Sequence, residues 1–145
     1  MFDRISGVYD RMNRGMTAGL DQSWRARAAE RTRLETGMKA LDLCCGTGDL
    51  ALMLAEKVGP EGEVTGADFS RPMLDIALEK AKDAGLRQAQ FKWADALDLP
   101  FEDESFDAVT IAFGARNLAD LDKGISEMRR VLVPGGRLVI LEITQ

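Results

Sequence analysis

The chain has 145 residues, a formal net charge of −5 and no histidine. That length predicts one domain around a single core, and no apolar run approaches the roughly 20 residues of a membrane span. The missing imidazole removes the commonest general base and the commonest transition-metal ligand together. Charge is uneven, +3 over residues 1–39 and −8 over the rest. A basic front on an acidic body argues against nucleic acid as a partner. The front reads first as a solvated arginine-rich helix face and second as a contact for an anionic lipid surface. The opening MFDRISGVYDRMN has no apolar signal core, so a cytoplasmic protein is expected. Cys44 and Cys45, placed as neighbours on a strand, would point to opposite faces, which fits a reduced compartment better than a disulfide framework.

Residues 1–37 read as a helical extension with Trp24, Ala28 and Leu34 on its buried side, ahead of a domain over 38–145. Met38–Cys44 is expected as a buried strand. Asp49–Val58 follows as a helix that stops at Gly59-Pro60. Glu63–Ala67 is the second strand, ending at Asp68. Ser70 then caps a helix with Pro72 in its first turn and Gly85 closing it. Met73, Leu74, Ala77, Leu78 and Ala81 repeat there at helical spacing. Gln88–Trp93 is the third strand, DLPFEDES a turn, and Phe106–Phe113 the fourth strand. Leu121, Ile125, Met128 and Leu132 mark another helix, which PGG is expected to end before a fifth strand over Arg137–Ile143. Strands alternating with helices predict an α/β doubly wound parallel sheet with right-handed crossovers.

Ligands of such sheets sit beyond the carboxyl ends of the strands. Strand one ends in Cys45, Gly46, Thr47, Gly48 and Asp49, and the two glycines would let backbone approach a ligand closely. GTGDLA also satisfies the dinucleotide pattern G-x-G-x-x-G/A, so the loop alone leaves a redox cofactor and other nucleotide-like ligands open. Asp68, twenty residues beyond Gly48 at the end of strand two, is placed to accept both hydroxyls of a ribose. After strand three, Asp95 with the Ala96 backbone can address an adenine amino edge, with Leu97 and Phe69 along its faces, although Asp95 could equally serve only the turn. Ala112 is a further expected cofactor contact. Gly114 would permit close approach, and Arg116 and Asn117 would project over the reacting end. Glu102, Asp103 and Glu104 read as a solvated turn, and no metal is expected.

The stretches LDLCCGTGD, GADFS, ADALDLPF, FDAVTIAFGARN and RRVLVPGGRLVILE resemble the class I S-adenosylmethionine-dependent methyltransferases, with their Rossmann-like fold. FDRISGVYDRMN and GLDQSWR, with FGARN, resemble one branch of them, the ubiquinone/menaquinone biosynthesis C-methyltransferases. The resemblance covers essentially the whole chain and implies cofactor contacts at Thr47, Asp68, Asp95 and Ala96. It implies S-adenosyl-L-methionine as donor, S-adenosyl-L-homocysteine as product, and a lipid-tailed quinol methylated at a ring carbon. The acceptor would be demethylmenaquinol or, alternatively, a polyprenyl-methoxybenzoquinol. Asp21, where part of the branch has histidine, favours the menaquinone side. Cys44 stands where many members have glycine. In the chemistry so implied, Arg116 stabilises a phenolate beside Asn117. Tyr9 and Asp10 close over the site, Asp10 as proton acceptor or water positioner. Contact with the inner membrane face and a homodimer are further expectations.

The resemblance implies that family members continue with two strands beyond the fifth, so Val139, Ile140, Leu141 and Ile143 are expected on an unpaired edge. Two other readings stand beside the methyltransferase. An NAD-linked oxidoreductase shares the loop and the acid, but the chain has no Tyr-x-x-x-Lys pair. A non-catalytic cofactor-binding module would need only the nucleotide half.

Overall fold

Leu41, Leu43, Val64, Val109 and Ile111 are fully buried and alternate with small residues such as Ala40 and Ala108, the pattern of strands covered on both faces. The computed structural model describes residues 20–142, apart from the side chains of Leu20, Asp21 and Arg116. Five parallel strands, β1 (Lys39–Leu43), β2 (Glu63–Asp68), β3 (Ala89–Trp93), β4 (Phe106–Ala112) and β5 (Leu132–Leu141), form one sheet in the order β3-β2-β1-β4-β5. Among the described residues four helices flank it: α1 (Leu20–Arg31), α2 (Asp49–Val58), α3 (Arg71–Asp83) and α4 (Leu121–Val131). The doubly wound sheet is the one the alternation predicts.

Because successive strand residues face opposite ways, β1 feeds two cores. Ala40 joins Ala28 and Ala29 of α1, Leu54 and Val58 of α2 and Ala81 of α3. Leu41 and Leu43 join Met128 and Val131 of α4, with Ala94, Ala96 and Leu99. Local chemistry sets the helix starts. The Ser70 hydroxyl accepts from the Met73 N–H at 3.3 Å, and the Asp120 carboxylate from the Lys123 N–H at 3.1 Å; each bond satisfies a donor that the first helical turn leaves over.

Several expectations need correction. PGG does not end a helix: α4 stops at Val131 and β5 begins at Leu132. Leu132 pairs with Phe106, and after a register shift Arg137 pairs with Ala108. Val133–Gly136 thus stand opposite the single residue Asp107, three residues in excess within the strand. Pro134 disfavours the helical region for Val133, and Gly135 takes φ +81°. Leu78 is exposed, because the buried stripe of α3 runs through Met73, Leu74, Ala77 and Ala81, and Leu121 is exposed at the first position of α4, whose buried residues are Gly124, Met128 and Val131. Trp24 is only half-buried, whereas Ala28 and Leu34 are buried. Cys44 lies past the end of β1 at φ +53°, so the two thiols are not strand neighbours; both are free. At the sheet edge, Val139 and Leu141 pack partly into the α1–α2 core and Leu138 into the other. Ile140 remains exposed, and Ile143 lies outside the described residues. The acidic turn is exposed, and Asp103 pairs with Arg130 at 2.8 Å.

Candidate functional site

The C-terminal ends of β1–β4 open on one cavity of about 610 Å³, a size suited to a small organic ligand. Its floor is the loop after β1. A Cβ on Gly46 (φ +56°) would meet nothing nearer than the Met73 sulfur at 3.8 Å. Its backbone therefore borders open space. Gly48 (φ +91°) has another task, since its Cβ would sit 2.9 Å from that of Ala77. It lies off the cavity wall and lets α2 and α3 approach.

Asp68 ties two loops together. One carboxylate oxygen accepts from the Gly46 N–H and the other from the Ser70 N–H, each at 2.9 Å. A carboxylate offers about four acceptor positions, so two backbone bonds leave capacity for hydroxyls of a ligand. Asp95 both shapes a turn and lines the cavity. Its carboxylate accepts from the Leu97 N–H at 2.9 Å and its carbonyl from the Asp98 N–H at 3.0 Å. Ala96, Leu97 and Phe69 extend this wall. Phe69 is 58% exposed and meets Trp93 edge-on, with ring centroids 5.3 Å apart.

Behind the loop lie groups whose protonation is set by burial. Asp42, between Leu41 and Leu43, is pushed up to about 7 by burial; the Thr110 hydroxyl and the Arg25 charge oppose this, and the Asp68 charge adds to it. Thr110 donates to Asp42 at 2.7 Å. Burial, with the charges of Asp68, Asp42 and Glu142, pushes the Cys44 thiol up to about 12, and burial likewise raises Cys45. Both stay protonated at neutral pH, and a thiol is a far weaker nucleophile than a thiolate. Thr47, buried on the wall, receives Lys80 at 3.4 Å, and Lys80 also pairs with Asp49 at 2.5 Å. Gln22 of α1 donates to the other Asp49 oxygen at 3.3 Å.

The rim after β4 is built by shape. Phe113 takes φ +59°, and a Cβ on Gly114 would lie 2.6 Å from that of Cys44. The close approach that Gly114 permits is therefore to Cys44. Ala115–Asn117 form a 3-10 turn, with Asn117 exposed and on the cavity wall; Arg116 shares that turn. Ala112 and Cys45 also line the cavity. Tyr9 and Asp10 lie outside the described residues. Sequence reasoning missed Arg25, Asp42, Met73 and Leu118 on the wall. An aspartate inside the apolar run LDL was a usable signal for Asp42, whereas the one mark on Arg25 was its place at the end of GLDQSWR, a stretch that carries the family resemblance without giving the arginine a role.

The pattern of the ubiE/COQ5 methyltransferase family matches residues 1–145. The chain belongs to that family. A demethylmenaquinone methyltransferase from Thermus thermophilus is 54% identical over 98% of this chain and 64% of its own length. One from Listeria welshimeri is 46% identical over 100% of this chain and 61% of its own length. The chain thus spans about three-fifths of the curated relatives it matches. Among solved structures, an S-adenosylmethionine-dependent methyltransferase from Aquifex aeolicus superposes with TM-score 0.74 at 28% identity, covering 80% of this chain and 62% of that one. A protein from Methanococcus maripaludis at 24% identity, covering 95% of this chain and 62% of its own, shares the fold, with TM-score 0.80. The 4+2 cyclase SpnF also superposes, with TM-score 0.76 at 35% identity over 82% of this chain and 43% of its own. The fold therefore does not fix the reaction, and function has to be argued from the site.

Proposed function

We propose that the chain carries the S-adenosyl-L-methionine-binding part of a quinol C-methyltransferase, acting on demethylmenaquinol to give menaquinol. The observation that carries the binding part is the Asp68 carboxylate, fixed by the Gly46 and Ser70 N–H groups at the cavity edge with acceptor capacity to spare. The names of the family relatives support the naphthoquinol over the benzoquinol acceptor.

The residues present fit the donor. Asp68 accepts the ribose hydroxyls, Asp95 and the Ala96 backbone take the adenine edge, and Phe69 and Leu97 cover its faces. Cys45, Gly46 and Thr47 form the floor, with Ala112 at the far rim. When bound, the donor supplies a sulfonium methyl group, already a strong electrophile, so the protein's task is alignment and exclusion of water. The raised thiol of Cys44 has a consequence here. As a neutral thiol it competes poorly with the acceptor carbon for an electrophile in the same cavity. Arg116, a permanent cation and no base, stabilises the phenolate that makes the ring carbon nucleophilic. Asn117 orients the ring; the parts expected of Tyr9 and Asp10 fall on residues outside those described. A lipid-tailed acceptor would be met at the cytoplasmic face of a membrane. No helix among the described residues is long and apolar enough to cross one.

Calorimetry of this chain with S-adenosylhomocysteine and with NAD tests the binding part: the first should bind and the second should not. In a full-length family member, alanine at the position aligned with Arg116 should abolish most methyl transfer to demethylmenaquinol while donor affinity stays nearly intact. Normal turnover in that variant would remove Arg116 from the mechanism.

A further inference from the structure

The charges around the cavity are unequal in number. Four carboxylates line it, Asp42, Asp49, Asp68 and Asp95, against a single cationic side chain among the described lining residues, Arg25. Arg25 does not come from the sheet loops; it is carried in by α1, which packs on α2 and β5. Its guanidinium carbon stands 5.0 Å from the ring centroid of Phe113, itself on the cavity wall. Stacking engages the flat face of a guanidinium, while its five N–H donors lie in the plane and suit a carboxylate presented edge-on. Arg25 is also near enough to Asp42 for its charge to act there, so it sits toward the β1–β4 end and Asp95 at the β3 end.

A donor of the proposed kind is itself unequal in charge. Its adenosine end is neutral, and its amino-acid end is a zwitterion with an ammonium and a carboxylate. Asp68 and Asp95 belong to the adenosine end and Asp49 is already paired with Lys80, and no acidic side chain, whichever serves the ammonium, can serve the carboxylate. We propose that Arg25 is the residue that binds the α-carboxylate of the amino-acid end, so that α1 is part of the donor site as well as a flank of the sheet. This rests on the S-adenosylmethionine reading. It makes α1 the element that distinguishes an amino-acid-bearing adenosine from a plain one.

The test is calorimetry on this chain with two ligands that share an adenosine and differ in the amino-acid end: S-adenosylhomocysteine, and 5′-methylthioadenosine, which lacks it. Arg25→Gln should weaken S-adenosylhomocysteine ~10–100-fold, as expected for a charge-assisted bidentate pair, and leave 5′-methylthioadenosine within ~2-fold. Arg25→Lys should recover part of the loss, and in the unaltered chain only S-adenosylhomocysteine affinity should fall with added salt. Retained binding of 5′-methylthioadenosine also reports that the variant is folded. Equal losses for both ligands would make Arg25 a support for Phe113 and overturn the assignment, as would undiminished S-adenosylhomocysteine binding. Failure of the unaltered chain to bind S-adenosylhomocysteine would overturn the donor reading itself, and the Arg25 assignment with it.

Discussion

At the ends of β2 and β3 the chain is held by side chains bonded to nearby backbone, Asp68 to Gly46 and Ser70, Ser70 to Met73, and Asp95 to Leu97. At the end of β4 it is held by volume, with Gly114 against Cys44 and Phe113 beside Trp24 and under Arg25. The first construction fixes acceptor atoms in space, which is what recognition of hydroxyl and amino groups needs. The second fixes a wall by packing, and the polar groups proposed to act there, Arg25 and the Ala115–Asn117 turn, are carried on it. One cavity thus has a rim that reads polar groups and a rim that shapes space, and the two should fail differently when altered.

The largest effect is expected at the shaped rim. Gly114→Val should destabilise the chain by about 3 kcal/mol, the upper end for overpacking, because even its Cβ would lie inside the contact distance of Cys44. Cys44→Gly should rescue much of that loss, since it removes the clashing sulfur and relieves a left-handed backbone at φ +53°. Urea titrations of the single and double variants would show this, and additive losses would mean that the two positions do not share the space. At the polar rim, Asp68→Ala should weaken S-adenosylhomocysteine by about 1.5–3 kcal/mol, the scale of charged hydrogen bonds. Unchanged affinity in a folded variant would sink the ribose assignment.

The smallest effect concerns Asp42, behind both rims. Its folded carboxyl titrates at about 7, against 3.8 when unfolded. Between those values the unfolded chain holds the fewer protons, so stability falls as pH rises from about 4 to about 7 and stays at the lower level above. Asp42→Asn can still accept from Thr110 without ionising. At pH 8 it should be more stable than the unaltered chain by about 1–2 kcal/mol, a discounted share of the 1.36 kcal/mol per pKa unit. Below pH 4 the two should converge. Melting curves that run parallel from pH 4 to 8 would show that Asp42 is not the group responsible.

The polar rim was largely legible in the sequence, because its devices are local. Ser70 acts on Met73 and Asp95 on Leu97, and Asp68 reaches Ser70 two residues on; only its second bond, to Gly46, spans 22 residues. The shaped rim was not. Gly114 was read as access for a ligand because its partner, Cys44, is seventy residues away in the chain and only the sheet brings them together. Gly48 was misread for the same reason, since Ala77 lies on another helix. The start of β5 was hidden by Pro134-Gly135-Gly136, whose turn chemistry is real but is absorbed inside a strand. Arg25 closes the family-like stretch GLDQSWR, but nothing local gave it a task; its place in the cavity follows from how α1 packs.

The Asp68 bridge also has a kinetic side. With the loop after β1 and the loop after β2 already joined through one carboxylate, neither has to be ordered when a ligand arrives, and the entropy of fixing them belongs to folding. Association at that rim should then proceed in a single phase whose rate rises in proportion to ligand concentration, with no plateau from a slow rearrangement. In Asp68→Asn one of the two N–H groups would lose its acceptor to an amide, and a second, concentration-independent phase should emerge as the loops move separately. Residence time, more than the rate of capture, would then record how well the adenosine end is held.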